Sequence, residues 1–122
     1  MKQAVSLLLC CLLLASCAKE PELKDYTDDI LGIWYAVEYD EYVEFLPDGT
    51  VEDTYNGKTT RGFWKLDNEA ALLWINFGDD IFSIRISEQD GKLILLDNNG
   101  TMVREADRDA AREAYRESKH TN

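Results

Sequence analysis

The feature that most constrains this chain is a series of tight-turn signals that recur about every ten residues. The clearest are Asp48-Gly49, Asn56-Gly57, Asp90-Gly91 and Asn98-Asn99-Gly100. Pairs of this kind accept positive φ angles and join adjacent antiparallel strands. Because every connection is short, we expect neighbouring strands to pair antiparallel as a meander.

The segments between these turns show the alternation of β-strands. Phe82 and Ile84, for example, alternate with Ser83 and Arg85, which indicates one buried and one solvent-facing side. Eight up-and-down strands bury their apolar side best by closing into a small barrel, which also removes exposed edges. The sequence therefore predicts an all-β fold, an eight-stranded antiparallel up-and-down barrel. The predicted strands are 33–39, 42–47, 50–56, 59–66, 71–77, 81–87, 92–97 and 101–105.

The two ends of the chain differ from this central part. At the carboxyl end, Ala and charged residues with i, i+3 pairs such as Glu113 and Arg116 predict a weakly packed helix and tail over 106–122. At the amino end, Lys2 precedes an apolar run that is too short to cross a bilayer. Small residues follow it, so we interpret 1–16 as an export signal peptide. A polar tether over 17–29, in which Thr27 could cap one helical turn, then leads to a barrel domain over 30–105.

The net charge limits the classes of partner that the chain can bind, and the cysteine content limits how the domain can be stabilised. Removing residues 1–16 removes Lys2, which leaves 12 basic against 24 acidic residues and a net charge of −12. A surface this negative repels phosphate backbones, so nucleic acid is excluded as a partner. Cys17 is the only cysteine left after cleavage, so the core alone must stabilise the domain. We expect a monomer.

Three short motifs follow one another along the predicted strands. They are Ile30-Leu31-Gly32-Ile33-Trp34, Glu44-Phe45-Leu46-Pro47-Asp48-Gly49-Thr50 and Gly62-Phe63-Trp64-Lys65-Leu66. This series, of Gly-x-Trp and Glu-Phe-x-x-Asp-Gly-Thr type, is similar to the small lipocalin-like domains of bacterial lipoproteins. The resemblance covers about 28–105 and implies a lipocalin-like barrel. Leu14-Ala15-Ser16-Cys17 likewise resembles a lipobox, which implies a lipid on Cys17.

The same resemblance implies a cell-envelope location and a closure of the barrel. A lipid on Cys17 anchors the domain to a membrane, and Ala18 after it favours the outer over the inner membrane. Lipocalins close one end of the barrel by stacking the Gly-x-Trp tryptophan under a basic residue near the last strand. Gly32, Trp34 and Arg104 match these positions. The alternative is that Trp34 is a plain core aromatic and Arg104 begins the charge network of the helix.

Large apolar residues on the expected inner face either fill the barrel or line a ligand pocket. An eight-stranded barrel has room for side chains or for one small ligand. The candidates for a lining are Phe45, Gly62, Trp64, Phe82 and Ile84. The size of these residues favours a largely filled interior with, at most, a small pocket beside Gly62.

Two neighbouring strands allow a sharper prediction about tryptophans. Trp64 shares its side with Gly62, so we expect Trp64 to be buried inside the barrel. For 71–77 the more apolar side carries Leu73, Ile75 and Phe77, which leaves Trp74 outside and partly exposed.

Catalytic and metal-binding signals are weak. The one histidine, His120, lies near the chain end, and no free thiol remains besides Cys17. The acids Glu38, Asp40 and Glu41 and the pair Asp79 and Asp80 offer oxygens of the kind that Ca²⁺ takes, but they lie at predicted loops, where solvated acids are the ordinary expectation. We therefore expect no enzyme, cofactor or metal. The hypothesis is a lipid-anchored binding domain for an unidentified, small apolar molecule; the alternative is a protein-interaction or inhibitor module of the envelope, similar to lysozyme inhibitors.

Overall fold

The structure is a computed structural model that describes residues 24–98 and 100–120. The predicted signal peptide, Cys17 and most of the predicted tether lie outside the described residues. No helix among the residues described has the length and apolarity needed to cross a membrane.

Eight antiparallel strands form a closed barrel in chain order, with the last strand paired to the first. The predicted fold class is confirmed. Asn56 and Gly57 both adopt positive φ angles, as do Asp90 and Gly91, because the tight turns of a right-twisted hairpin require them. The strands are β1 Gly32–Ala36, β2 Glu41–Phe45, β3 Thr50–Tyr55, β4 Lys58–Asp67, β5 Leu72–Asn76, β6 Ile81–Gln89, β7 Lys92–Asp97 and β8 Gly100–Arg104.

Every second residue of each strand points into the barrel, as period-two alternation requires. On β5, Leu73 and Ile75 are buried while Trp74 between them is exposed. The buried residues form one cluster that draws on seven of the eight strands and on the segment before β1. Its largest fully buried members are Trp34, Phe45, Ile30, Leu73, Leu95 and Val51, while Tyr35 is fully buried but does not belong to this cluster.

A short helical segment closes one end of the barrel. Helix α1, Thr27–Ile30, precedes β1, and its Ile30 is completely buried. The backbone N–H of Tyr26 donates to Asn68 Oδ1 at 2.8 Å, which ties the segment to the β4–β5 turn. Thr27 is the first helical residue rather than the cap; its hydroxyl donates to Asp25. The end of the predicted tether thus belongs to the folded domain.

The carboxyl-terminal helix lies against the outside of the barrel. A 3₁₀ turn, Glu105–Asp107, leads into α2, Arg108–His120, which contains no buried residue. Its attachment is polar: Arg108 Nη1 donates to the Tyr42 hydroxyl at 2.9 Å, and Lys92 pairs with Asp107 at 2.8 Å. The helix was predicted, and its weak packing follows from the scarcity of apolar side chains on it.

Candidate functional site

The closed end of the barrel is built around Trp34 and Arg104. The guanidinium carbon of Arg104 lies 4.3 Å from the centroid of the fully buried Trp34 ring. The Trp34 indole N–H donates to the Ile30 carbonyl at 2.8 Å, and Arg104 Nη1 donates to the Leu31 carbonyl at 2.7 Å. Gly32 has a φ of 112°, and a Cβ there would come within 3.3 Å of Arg104 Nη1. The stack anticipated from the sequence is therefore present and is held by backbone acceptors.

Phe45 and Trp64 fill the interior next to this closed end. Their rings meet edge to face at 5.9 Å, and the Trp64 indole N–H donates to the Leu46 carbonyl at 2.9 Å. Trp64 packs against the core but is only half-buried, because its indole reaches the β2–β3 turn. Trp74 lies outside with 42% of its surface exposed, as predicted.

The space expected beside Gly62 inside the barrel does not exist. A Cβ at Gly62 would overlap the Asn76 carbonyl oxygen and lie 2.7 Å from Phe77 Cδ1. The glycine therefore allows a close approach of β4 and β5 rather than opening a pocket. The prediction of a pocket at this position is wrong, because a neighbouring strand and the Phe77 ring occupy the volume that the missing side chain leaves.

A cavity of about 360 Å³ opens instead at the other end of the barrel. That end carries the β1–β2, β3–β4, β5–β6 and β7–β8 connections, opposite α1 and the Trp34–Arg104 stack. Phe82 and Ile84 line the cavity as predicted, whereas Phe45, Gly62 and Trp64 do not, so the expected filled interior holds only towards the closed end. The apolar lining is Val43, Ile75, Phe77, Phe82, Ile84 and Met102.

Three carboxylates line the same cavity, and the sequence interpretation did not identify them as a group. Glu41, Asp53 and Asp97 come from β2, β3 and β7. Each shares the inward side of its strand with a buried aliphatic residue two positions away (Val43, Val51 and Leu95), so alternation could have revealed them. The described lining contains no Lys, Arg or His. Tyr39 and Tyr55, both partly exposed, complete the wall.

Glu41, which lies beside Asp53, has the most strongly perturbed pKa of the cavity lining. Burial, hydrogen bonding to Asp53 and the negative charges of Asp53 and Asp97 raise the pKa of Glu41 to about 8. Desolvation and like charges both disfavour the ionised carboxylate. Asp53 Oδ1 is buried and has no hydrogen-bond partner among the described residues. At neutral pH Glu41 therefore retains a proton that an exposed carboxylate would release.

The acidic residues that the sequence offers as Ca²⁺ ligands point in different directions. Glu38 accepts a hydrogen bond from the Thr101 N–H at 3.1 Å, Asp40 accepts one from the Tyr35 hydroxyl at 2.7 Å, and Glu41 faces the cavity. Asp79 and Asp80 are exposed in the β5–β6 loop. Within residues 24–98 and 100–120, no three His, Cys, Asp or Glu side chains are arranged to hold a metal ion.

Comparisons with family models, with curated proteins and with solved structures found no match for this chain. The arrangement of the site is therefore the basis for the function proposed below.

Proposed function

We propose that this chain is a lipid-anchored, extracytoplasmic binding domain without catalytic activity, which takes a small and largely apolar molecule into the open end of its barrel. The observation that carries the proposal is the cavity of about 360 Å³ at that end. Ligand sites typically enclose about 300–1,000 Å³, with mostly apolar walls and a few polar groups. This cavity has that composition and lies at the small end of that range.

The contrast between the two ends of the barrel supports the same function. Buried Ile30 and the Arg104–Trp34 stack close one end, so a ligand has one entrance. Leu73, Leu95 and Val51 are fully buried and form a packed layer inside the barrel. A rigid, filled base beneath an open mouth is suited to holding a ligand without a large rearrangement of the protein.

Titration with a fluorescent hydrophobic dye tests binding, and displacement by small neutral, anionic and cationic aromatic molecules tests its selectivity. We expect saturable one-to-one binding. Ile84→Trp fills the cavity and should abolish binding, whereas Arg85→Trp adds the same side chain to the outer side of the same strand and should leave it unchanged. Equal binding by both variants, or no saturable binding by the unmodified protein, would remove the proposal.

Fractionation tests the proposed anchor separately. The lipobox-like Leu14-Ala15-Ser16-Cys17 supports acylation of Cys17, and stable anchoring takes more than one acyl chain. Cys17→Ser should move the protein from the membrane to the aqueous fraction, with Cys10→Ser in the apolar run as the matched control. An unchanged distribution of Cys17→Ser would contradict the anchor but not the ligand site.

A protein-interaction or inhibitor function is the second candidate, and a different observation supports it. Phe63, Trp74 and Ile81 are all exposed on the outer side of β4, β5 and β6. Phe63 and Ile81 flank Asn76 across β5. Exposed aromatic residues often mark protein contacts, and the acidic chain would attract a basic partner.

A lysozyme assay tests the inhibitor form of this candidate. If the outer aromatic surface inhibits the enzyme, a stoichiometric excess of the chain should slow cell-wall lysis, and Trp74→Ser should restore the rate. Ser83→Ala, beside Trp74 on the next strand, is the control. Undiminished lysis in excess protein would exclude lysozyme inhibition.

A further inference from the structure

The cavity at the open end carries a charge pattern that an uncharged ligand would not use. Among its described lining residues there are three carboxylates and no basic side chain. A buried charge is costly unless it is paired. Within the described lining of the cavity, Glu41 and Asp53 thus have no basic side chain as a partner.

Two further observations indicate that a partner enters from solution. Asp53 Oδ1 is buried and receives no hydrogen bond from the described residues. The raised pKa of Glu41 shows that a proton relieves the repulsion when nothing else is bound. A cation in the cavity would replace that proton and offset the negative charge of Asp53, and a primary ammonium group would also supply the missing donor to Asp53 Oδ1.

The walls favour an organic cation over a hydrated one. Phe77 and Phe82 meet edge to face with their ring centroids 6.2 Å apart, and Tyr39 and Tyr55 also face the cavity. Aromatic faces attract ammonium groups, most strongly when the groups are desolvated. The aliphatic lining offers Ca²⁺ or Mg²⁺ nothing in place of the oxygen ligands and water that they require.

We propose that the open-end cavity binds a small organic cation, a primary or quaternary ammonium compound with an aromatic or aliphatic body, through the carboxylates of Glu41 and Asp53 and the surrounding aromatic rings. This inference rests on the proposed ligand-binding function and names its ligand class. The ammonium group lies at the acidic side of the cavity, and the apolar body contacts Ile75, Ile84 and Met102.

Calorimetric titration of the purified full chain with three probes of similar size tests the inference. The probes are benzyltrimethylammonium, its uncharged carbon isostere neopentylbenzene, and phenylacetate. We expect one-to-one binding of the ammonium compound about tenfold or more tighter than the isostere, because the carboxylate charges and the ring faces both attract the ammonium group, and no saturable binding of phenylacetate. CaCl₂ should displace the ammonium compound no more than NaCl does when both salts are added to the same ionic strength.

Single substitutions distinguish a specific contribution of Glu41 and Asp53 to ammonium binding from a general effect of the negative charge of the protein. Glu41→Gln and Asp53→Asn each remove a coulombic attraction, so each should weaken ammonium binding about tenfold and leave isostere binding within about twofold. Glu44→Gln removes the same charge from the outer side of the same strand and should change neither. Two carboxylate variants keep the test informative if one of them fails to fold.

The results that would contradict the ligand class differ from those that would contradict the binding function. The ligand class is wrong if the isostere binds as tightly as the ammonium compound. It is also wrong if Ca²⁺ displaces the ammonium compound more than NaCl does. In both cases the proposed binding function stands. If the dye and all three probes fail to bind, both the ligand class and the binding function are wrong.

Discussion

Replacing Glu41 by Gln should change how the stability of the domain depends on pH. Gln retains the size of the side chain and its ability to donate a hydrogen bond to Asp53, but it cannot ionise. In the folded protein the pKa of Glu41 lies at about 8, against an ordinary value of 4.5. The folded state therefore keeps a proton that the unfolded chain releases.

The sign of the effect follows from this difference. The contribution of Glu41 to the free energy of unfolding is fully present below its ordinary pKa and is lost as pH rises towards about 8. The full shift would correspond to about 5 kcal/mol. Because the side chain lies at an open mouth where solvent screens its charge, we expect only about 1–2 kcal/mol. The negative charges of Asp53 and Asp97 are among the causes of this raised pKa, and Tyr39 and Tyr55 are the other titratable residues in the described cavity lining.

Urea denaturation between about pH 5 and pH 9 measures this effect through the midpoint at a constant m-value. The unmodified protein should lose about 1–2 kcal/mol over this range relative to Glu41→Gln, which corresponds to roughly 4–15 °C in melting temperature. Glu44→Gln is the matched control for the loss of one charge from an acidic chain. Parallel pH profiles of the unmodified protein and Glu41→Gln would refute the reasoning.

Three further predictions concern packing. Gly62→Ala should lower the free energy of unfolding by about 1–3 kcal/mol in urea denaturation, because the new methyl group meets the backbone of β5. In Gly100→Ala the methyl group meets only the movable Glu38 side chain, so an equal loss in both variants would contradict this explanation. Arg104→Ala should cost about 1–3 kcal/mol, since it removes both the stack on Trp34 and a hydrogen bond to a backbone carbonyl; unchanged thermal stability would show that the stack contributes little. Trp74→Ser, at an exposed outer position, should change stability by no more than about 0.5 kcal/mol, and a larger loss in thermal denaturation would contradict its surface role.

The sequence by itself determined the barrel and the orientation of most strands, because these depend on local patterns. Asn56-Gly57 and Asp90-Gly91 specify tight turns within two residues, and the alternation around Trp74 assigns it to the outer side. The pairing of Trp34 with Arg104 at the closed end could also be predicted from the sequence, because the first and last strands of a closed barrel must meet. Neither the signal peptide nor Cys17 is tested by the described residues.

Only the tertiary structure decided which volume inside the barrel is filled and which remains open. From the sequence, Gly62 predicts unfilled space on the inner side of β4. In the structure, the backbone of β5 and the ring of Phe77 occupy that space. Glu41, Asp53 and Asp97 are far apart in the chain and look like ordinary solvated acids. Closure of the barrel brings them to one cavity, where burial and mutual repulsion change their chemistry. Strand alternation is a local property, whereas the packing between strands and the electrostatic coupling of these carboxylates arise only when distant segments meet.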